Sequence, residues 1–178
     1  MQEPNHLIMV EYEPRHWQVM YPAVVFDNDE LFKKGRDLHA SNPKEAERIY
    51  RQVMATCGEL HIEALCYLGM ILNSQSAGRG LTYIVQAYTH SRLLFPNEFK
   101  EGRDVLPYSC RGNAFILTSY YAMGSELIKV SKNKEALAIF EFLFLIDPED
   151  VYGAGKWIPQ LKKVIKEDEE KAKIVKNN

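Results

Sequence analysis

Apolar residues recur at spacings of three and four almost throughout the chain after Asp27, and the preceding stretch lacks this rhythm. Such spacing gathers positions i, i+3, i+4 and i+7 on one face of a 3.6-residue helix, so it predicts helices rather than strands. The expected helices span 29–40, 43–56, 61–74, 81–95, 110–130, 133–146, 150–158 and 160–174. Helix stops and turn formers stand between them: Ser41-Asn42-Pro43, Gly58, Ser76 to Gly80, the long connection Pro96 to Pro107, and Asp147-Pro148. Short connections of this kind predict successive antiparallel hairpins. In residues 1–28, Pro4, Pro14 and Pro22 interrupt the runs Leu7 to Val10 and Val24 to Phe26. Each proline removes a backbone donor and fixes φ, so an extended or partly irregular arm, with room for a short strand, is expected there. The division is an N-terminal arm, 1–28, and a helical domain, 29–178.

The helical pattern repeats. Tyr120, Met123, Gly124 and Leu127 form one stripe and Ala136, Phe140 and Leu143 the next, closing on Asp147-Pro148. The register recurs upstream as Leu31, Gly35 and Leu38 with Ala46, Tyr50 and Val53, and in the middle as Leu65, Leu68, Gly69 and Leu72 with Ile84, Tyr88 and Ser91. Asn42-Pro43-Lys44-Glu45-Ala46 echoes Lys132-Asn133-Lys134-Glu135-Ala136 at the start of the second helix. Small residues such as Gly124 and Ala136 belong where two helices cross closely. This spacing resembles the tetratricopeptide repeat, with Tyr120 in place of the usual Trp. The resemblance covers residues 29–150 and not 1–28. The first copy is one residue short between its helices. The second is about three residues long there and has Ile84 where Ala is usual, and Pro96 to Pro107 is an insertion.

The resemblance implies an all-α fold: a right-handed antiparallel helix-hairpin array of about three repeats, closed by a C-terminal pair of capping helices. It also implies a concave groove lined by the first helix of each pair, where a peptide or partner helix would lie. Carried over position by position, the binding residues would be Phe32, Arg36 and His39, then Cys66, Met70 and Asn73, then Tyr121, Ser125 and Ile128. The arm itself is a competing occupant of that groove. Family members that clamp a terminal carboxylate use Lys and Asn, whereas Phe32, Arg36, Cys66 and Met70 hold the comparable places here, which argues against that specific activity.

Composition narrows the classes. Twenty-two basic and 24 acidic residues leave a formal charge of −2, without the concentrated Lys/Arg excess that nucleic-acid binding needs. Residues 1–10 lack the pattern of a signal peptide. The most apolar stretches, 114–130 and 136–146, are broken by Glu126, Lys129 and Glu141 and fall short of the ~20 residues of a membrane span. Cys57, Cys66 and Cys110 form neither an even disulfide set nor a CxxC pair, which suits a reducing, cytoplasmic location.

Candidate chemistry is sparse. His61-Ile62-Glu63 has the HxE element of zinc deaminases but lacks their PCxxC partner. Cys57, His61 and Cys66 match no zinc spacing, so two buried thiols and a surface histidine are expected instead. Gly78-Arg79-Gly80 and Gly102-Arg103-Asp104 follow no strand and read as loops rather than phosphate cradles. The charge runs Glu45 to Arg51 and Lys162 to Lys173 predict solvated helix faces, with Lys156, Lys162, Lys163 and Lys166 as an alternative basic contact patch. No catalytic residue, metal or cofactor is expected. The functional expectation is a cytoplasmic protein-interaction module, with homo-oligomerisation open. A secretion-type chaperone and an all-helical enzyme are the alternatives.

Overall fold

A computed structural model describes residues 5–176, with side chains described through residue 172. Two strands, β1 (Ile8–Glu13) and β2 (His16–Met20), precede a single-turn helix, α1 (Ala23–Phe26). Seven longer helices follow: α2 (Asp29–Leu38), α3 (Pro43–Cys57), α4 (Ile62–Gln75), α5 (Leu81–Leu93), α6 (Asn113–Lys129), α7 (Asn133–Ile146) and α8 (Ala154–Lys176). Consecutive helices from α2 to α8 pack on one another, and α4 also packs on α6. Among the described residues, no helix is long and apolar enough to cross a membrane.

The glycines of the three sequence copies stand at the same kind of crossing. A Cβ on Gly35 would meet the Tyr50 ring at 2.8 Å, one on Gly69 would meet Ile84 at 2.6 Å, and one on Gly124 would meet the Phe140 ring at 2.9 Å. In each pair the first helix therefore lies with its backbone against a large side chain of the second, a separation that only glycine permits. Asn42 caps α3 by accepting the Glu45 N–H at 3.3 Å, with Pro43 at the first helical position. Arg48 with Glu45 and Arg51 with Glu47 make the i,i+3 and i,i+4 pairs of a solvated face.

The arm departs from the all-α expectation, because its two strands form an antiparallel hairpin that pairs Ile8 with Met20 and Glu11 with Trp17. Arg15 makes the turn in the left-handed region, at φ 69°, and its N–H donates to the Glu11 carboxylate. Trp17 and Val19 alternate inward while His16, Gln18 and Met20 are less buried, the period-2 pattern of a strand with one covered face. The connection 96–107 is built onto this hairpin. Trp17 N–H donates to the Val105 carbonyl, Val105 N–H to the Arg15 carbonyl, and Leu106 N–H to the Ile146 carbonyl at the end of α7. Leu106 is fully buried, and Phe99 packs edge-on against Trp17 and Phe95. The arm thus covers the start of α6 and the inserted connection.

The C-terminal pair of capping helices, 150–158 and 160–174, is corrected to a single helix with Pro159 inside it. Pro159 lies in the second turn, where the missing donor costs one bond to the Gly155 carbonyl. Packing on α7 holds the helix on course: Trp157 stacks on Phe140 at 5.9 Å, and Leu161 is buried. The turn before α8 is tied by the Asp147 carboxylate, which accepts the N–H groups of Glu149 and Val151.

Candidate functional site

The first helices of the three pairs, α2, α4 and α6, carry the residues that the repeat register assigned to a groove. Two of them are core instead. Phe32 is 1% exposed, its ring 4.6 Å from the His61 ring and 5.5 Å from that of Tyr67. Cys66 is fully buried, and burial pushes its thiol well above the ordinary range. Neither can meet a ligand without opening the fold.

The other seven are half-buried. Three of these are committed within the chain. His39 Nδ1 lies 3.2 Å from the Tyr50 hydroxyl, and burial lowers its pKa. Asn73 Oδ1 accepts the Gly80 N–H, which fixes the turn into α5. Ser125 donates to the carbonyl of Tyr121 one turn earlier. Ile128 and Met70 pack against the two halves of the core. Tyr121 stacks on Tyr152 at 5.1 Å, and the Tyr152 hydroxyl lies 2.6 Å from that of Thr118. Arg36 differs from all of these, since its guanidinium makes no ion pair or hydrogen bond among the described residues, although it is near enough to Glu63 to favour the ionised carboxylate.

At the centre of this face lies a cluster that sequence reasoning missed. Arg111, in the turn before α6, donates Nη2 and Nε to the two carboxylate oxygens of Asp29 at 2.7 and 3.1 Å, and Nη1 to Glu63 at 2.6 Å. The planar guanidinium suits such two-point recognition. It also lies over the rings of Phe115 and Phe32, at 5.5 and 5.9 Å. Glu63 is 1% exposed, so desolvation raises its pKa while Arg111 opposes the shift. The only sequence signal at this cluster was Glu63 itself, within the HxE element.

His61 is not on the surface, contrary to expectation; it is fully buried between Phe32 and Phe115. Its Nδ1 caps α4 by accepting the Ala64 N–H at 3.2 Å, and its Nε2 has no hydrogen-bond partner among the described residues. Burial, reinforced by the Arg111 charge, lowers its pKa to about 4. Among the described residues no three His, Cys, Asp or Glu side chains converge as metal ligands. Cys57 and Cys66 are both buried free thiols.

A second feature lies on the other layer. An open cleft of about 480 Å³ separates α5 from α7, which do not pack along their length. Tyr120 of α6 forms its floor, stacked on Phe142 at 5.0 Å and met edge-on by Tyr88 at 4.9 Å. Phe95 and Phe99 close one end, and Arg92 and Glu101 stand at the cleft. Comparison of the chain with protein-family models, with curated proteins and with solved structures finds no match in any of the three.

Proposed function

We propose that the protein is an interaction module that takes a peptide segment or partner helix on the face formed by α2, α4 and α6. One observation supports this reading above the others: Arg36 is half-buried and its guanidinium makes no ion pair or hydrogen bond among the described residues, while Glu63, the carboxylate whose ionised form it favours, is held by Arg111. A half-buried cation in that position suits an acidic group on a partner, since charge-assisted bonds are stronger away from bulk water. Met70 and Tyr121 add partly exposed apolar surface on α4 and α6, of the kind that anchors an interface. The hairpin's hydrogen bonds run to Val105 and Asn113, so its anchorage does not depend on Arg36, Met70 or Tyr121. Phe32 and Cys66 are no longer part of the contact surface.

The test is affinity capture from the native source with the wild-type chain and with Arg36→Glu, read by mass spectrometry. Tyr121 is left intact because its stack on Tyr152 makes it structural. A protein retained by the wild type and lost by Arg36→Glu, with an unchanged melting midpoint, supports the proposal. Equal retention by both chains removes this face from consideration.

A further inference from the structure

The cleft between α5 and α7 differs from a small-molecule pocket in what surrounds it. Leu81, Val85, Tyr88 and Arg92 follow one another at spacings of four, three and four, so they share one face of α5. Leu81 and Val85 are 39% and 41% exposed. On α7 the cleft residues Ala138 and Phe142 continue into Leu145, which is 45% exposed. Apolar surface therefore extends along both helices beyond the cleft, which is characteristic of a macromolecular contact rather than an enclosed ligand site.

Charge narrows the occupant. Arg92 lies 5.8 Å over the ring of Tyr88, and among the described residues neither it nor Glu101, on the connection 96–107, makes an ion pair. Among the described residues this cleft thus carries a cation and an anion without an ion pair, beside exposed apolar side chains, so it holds both halves of a complementary charge pair. Two copies related by a two-fold axis satisfy such a surface, because an isologous contact that joins residue i to residue j also joins j to i.

We propose that this face binds a second copy of the same chain, with Arg92 pairing the partner's Glu101 and the exposed apolar side chains of Leu81, Val85 and Leu145 covered in the contact. A stable dimer of ordinary size buries ~800 Å² on each side. The cleft alone is too small for that, which is why Leu81, Val85 and Leu145 belong to the contact. The site is separate from the Arg36 face, so either can fail while the other stands.

Sedimentation velocity of the full chain over a concentration series tests the proposal. The expected result is a mass that rises from 20.6 kDa toward twice that value. Arg92→Glu alone and Glu101→Arg alone should each weaken association by roughly tenfold or more, by placing like charges opposite one another. Combining the two substitutions should restore it, because the exchanged charges again face opposite partners. Val85→Glu should abolish association and resist rescue. All of these positions are exposed, and circular dichroism checks that each variant keeps its helices. A chain that stays monomeric up to about 1 mM, or a dimer indifferent to Arg92→Glu, or a double variant as weak as the single ones, overturns the proposal.

Discussion

The side chain of Asn113 accepts the backbone N–H of Val19 at 3.0 Å, joining residues 94 positions apart. The same amide donates to the carbonyls of Trp17 and Pro107, both at 2.9 Å, so one fully buried residue ties the hairpin, the inserted connection and α6 together. Asn113→Ala would leave a buried N–H and two carbonyls without this partner. At ~1–3 kcal/mol for an unsatisfied buried group, with some relaxation, the expected loss is about 3 kcal/mol. Urea unfolding measures it, and hydrogen exchange at Val19 should accelerate more than exchange within α3.

The glycine crossings give a prediction about register. Gly69→Ala places a methyl group against Ile84 and the Gly80 carbonyl, and Gly124→Leu drives a branched chain into the Phe140 ring. Overpacking of this kind costs ~1–3 kcal/mol or more. Thermal melts of both variants should show lowered midpoints, and an unchanged midpoint for Gly124→Leu would mean that α6 and α7 do not cross there.

Removing one partner of the buried cluster should be worse than removing both. Arg111→Met strands the Glu63 carboxylate in the interior and should cost ~3–5 kcal/mol. Combining it with Glu63→Met removes the stranded charge, so the double variant should be more stable than Arg111→Met alone. Equilibrium unfolding of the wild type, both single variants and the double variant provides the comparison.

Acid sensitivity should trace to His61. Its pKa is about 4 in the fold against an ordinary 6.5, so between those values the unfolded chain binds more protons than the native one. Stability from this residue is complete above about pH 6.5 and is lost as pH falls toward 4, by at most about 3 kcal/mol. Glu63 works in the opposite sense, because burial raises its pKa and protonation there favours the native state. Unfolding free energies measured from pH 7 to pH 4 should fall less steeply for His61→Leu than for the wild type. Parallel curves would assign the acid sensitivity elsewhere.

Helices α2 to α7 were legible because apolar period and intervening stops agree, as Asn42-Pro43 ahead of α3 and Asp147-Pro148 after α7 illustrate. The glycine crossings were legible as well, since the constraint at Gly35, Gly69 and Gly124 is local to each helix pair. The hairpin was harder to read. The alternation of Trp17 and Val19 spans a single five-residue strand, and nothing in the sequence announces that Val105 or Asn113 will meet it. Phe32 and Cys66 were misplaced for a similar reason. The register assigned them to a groove, but His61 and Arg111 lie against the Phe32 ring and Cys66 is fully buried, and which side chains converge there depends on how the pairs stack. The expected helices 150–158 and 160–174 are one, because packing on α7 outweighs the single bond that Pro159 cannot make.

The strand-like run at Val105 and Leu106 also sets an order of events during synthesis. Residues 8–20 are made before the groups that hold them, since Val105 and Asn113 follow about ninety residues later. For most of that interval the hairpin is a two-stranded ribbon with its Trp17 and Val19 face uncovered, and such ribbons are marginal in water on their own. Residues 29–93 meanwhile form contacts that are close in sequence, which close quickly. The hairpin is therefore made before residues 29–93 and fixed after them, and a stalled or truncated product ending before residue 105 would present an unclaimed strand edge to other chains.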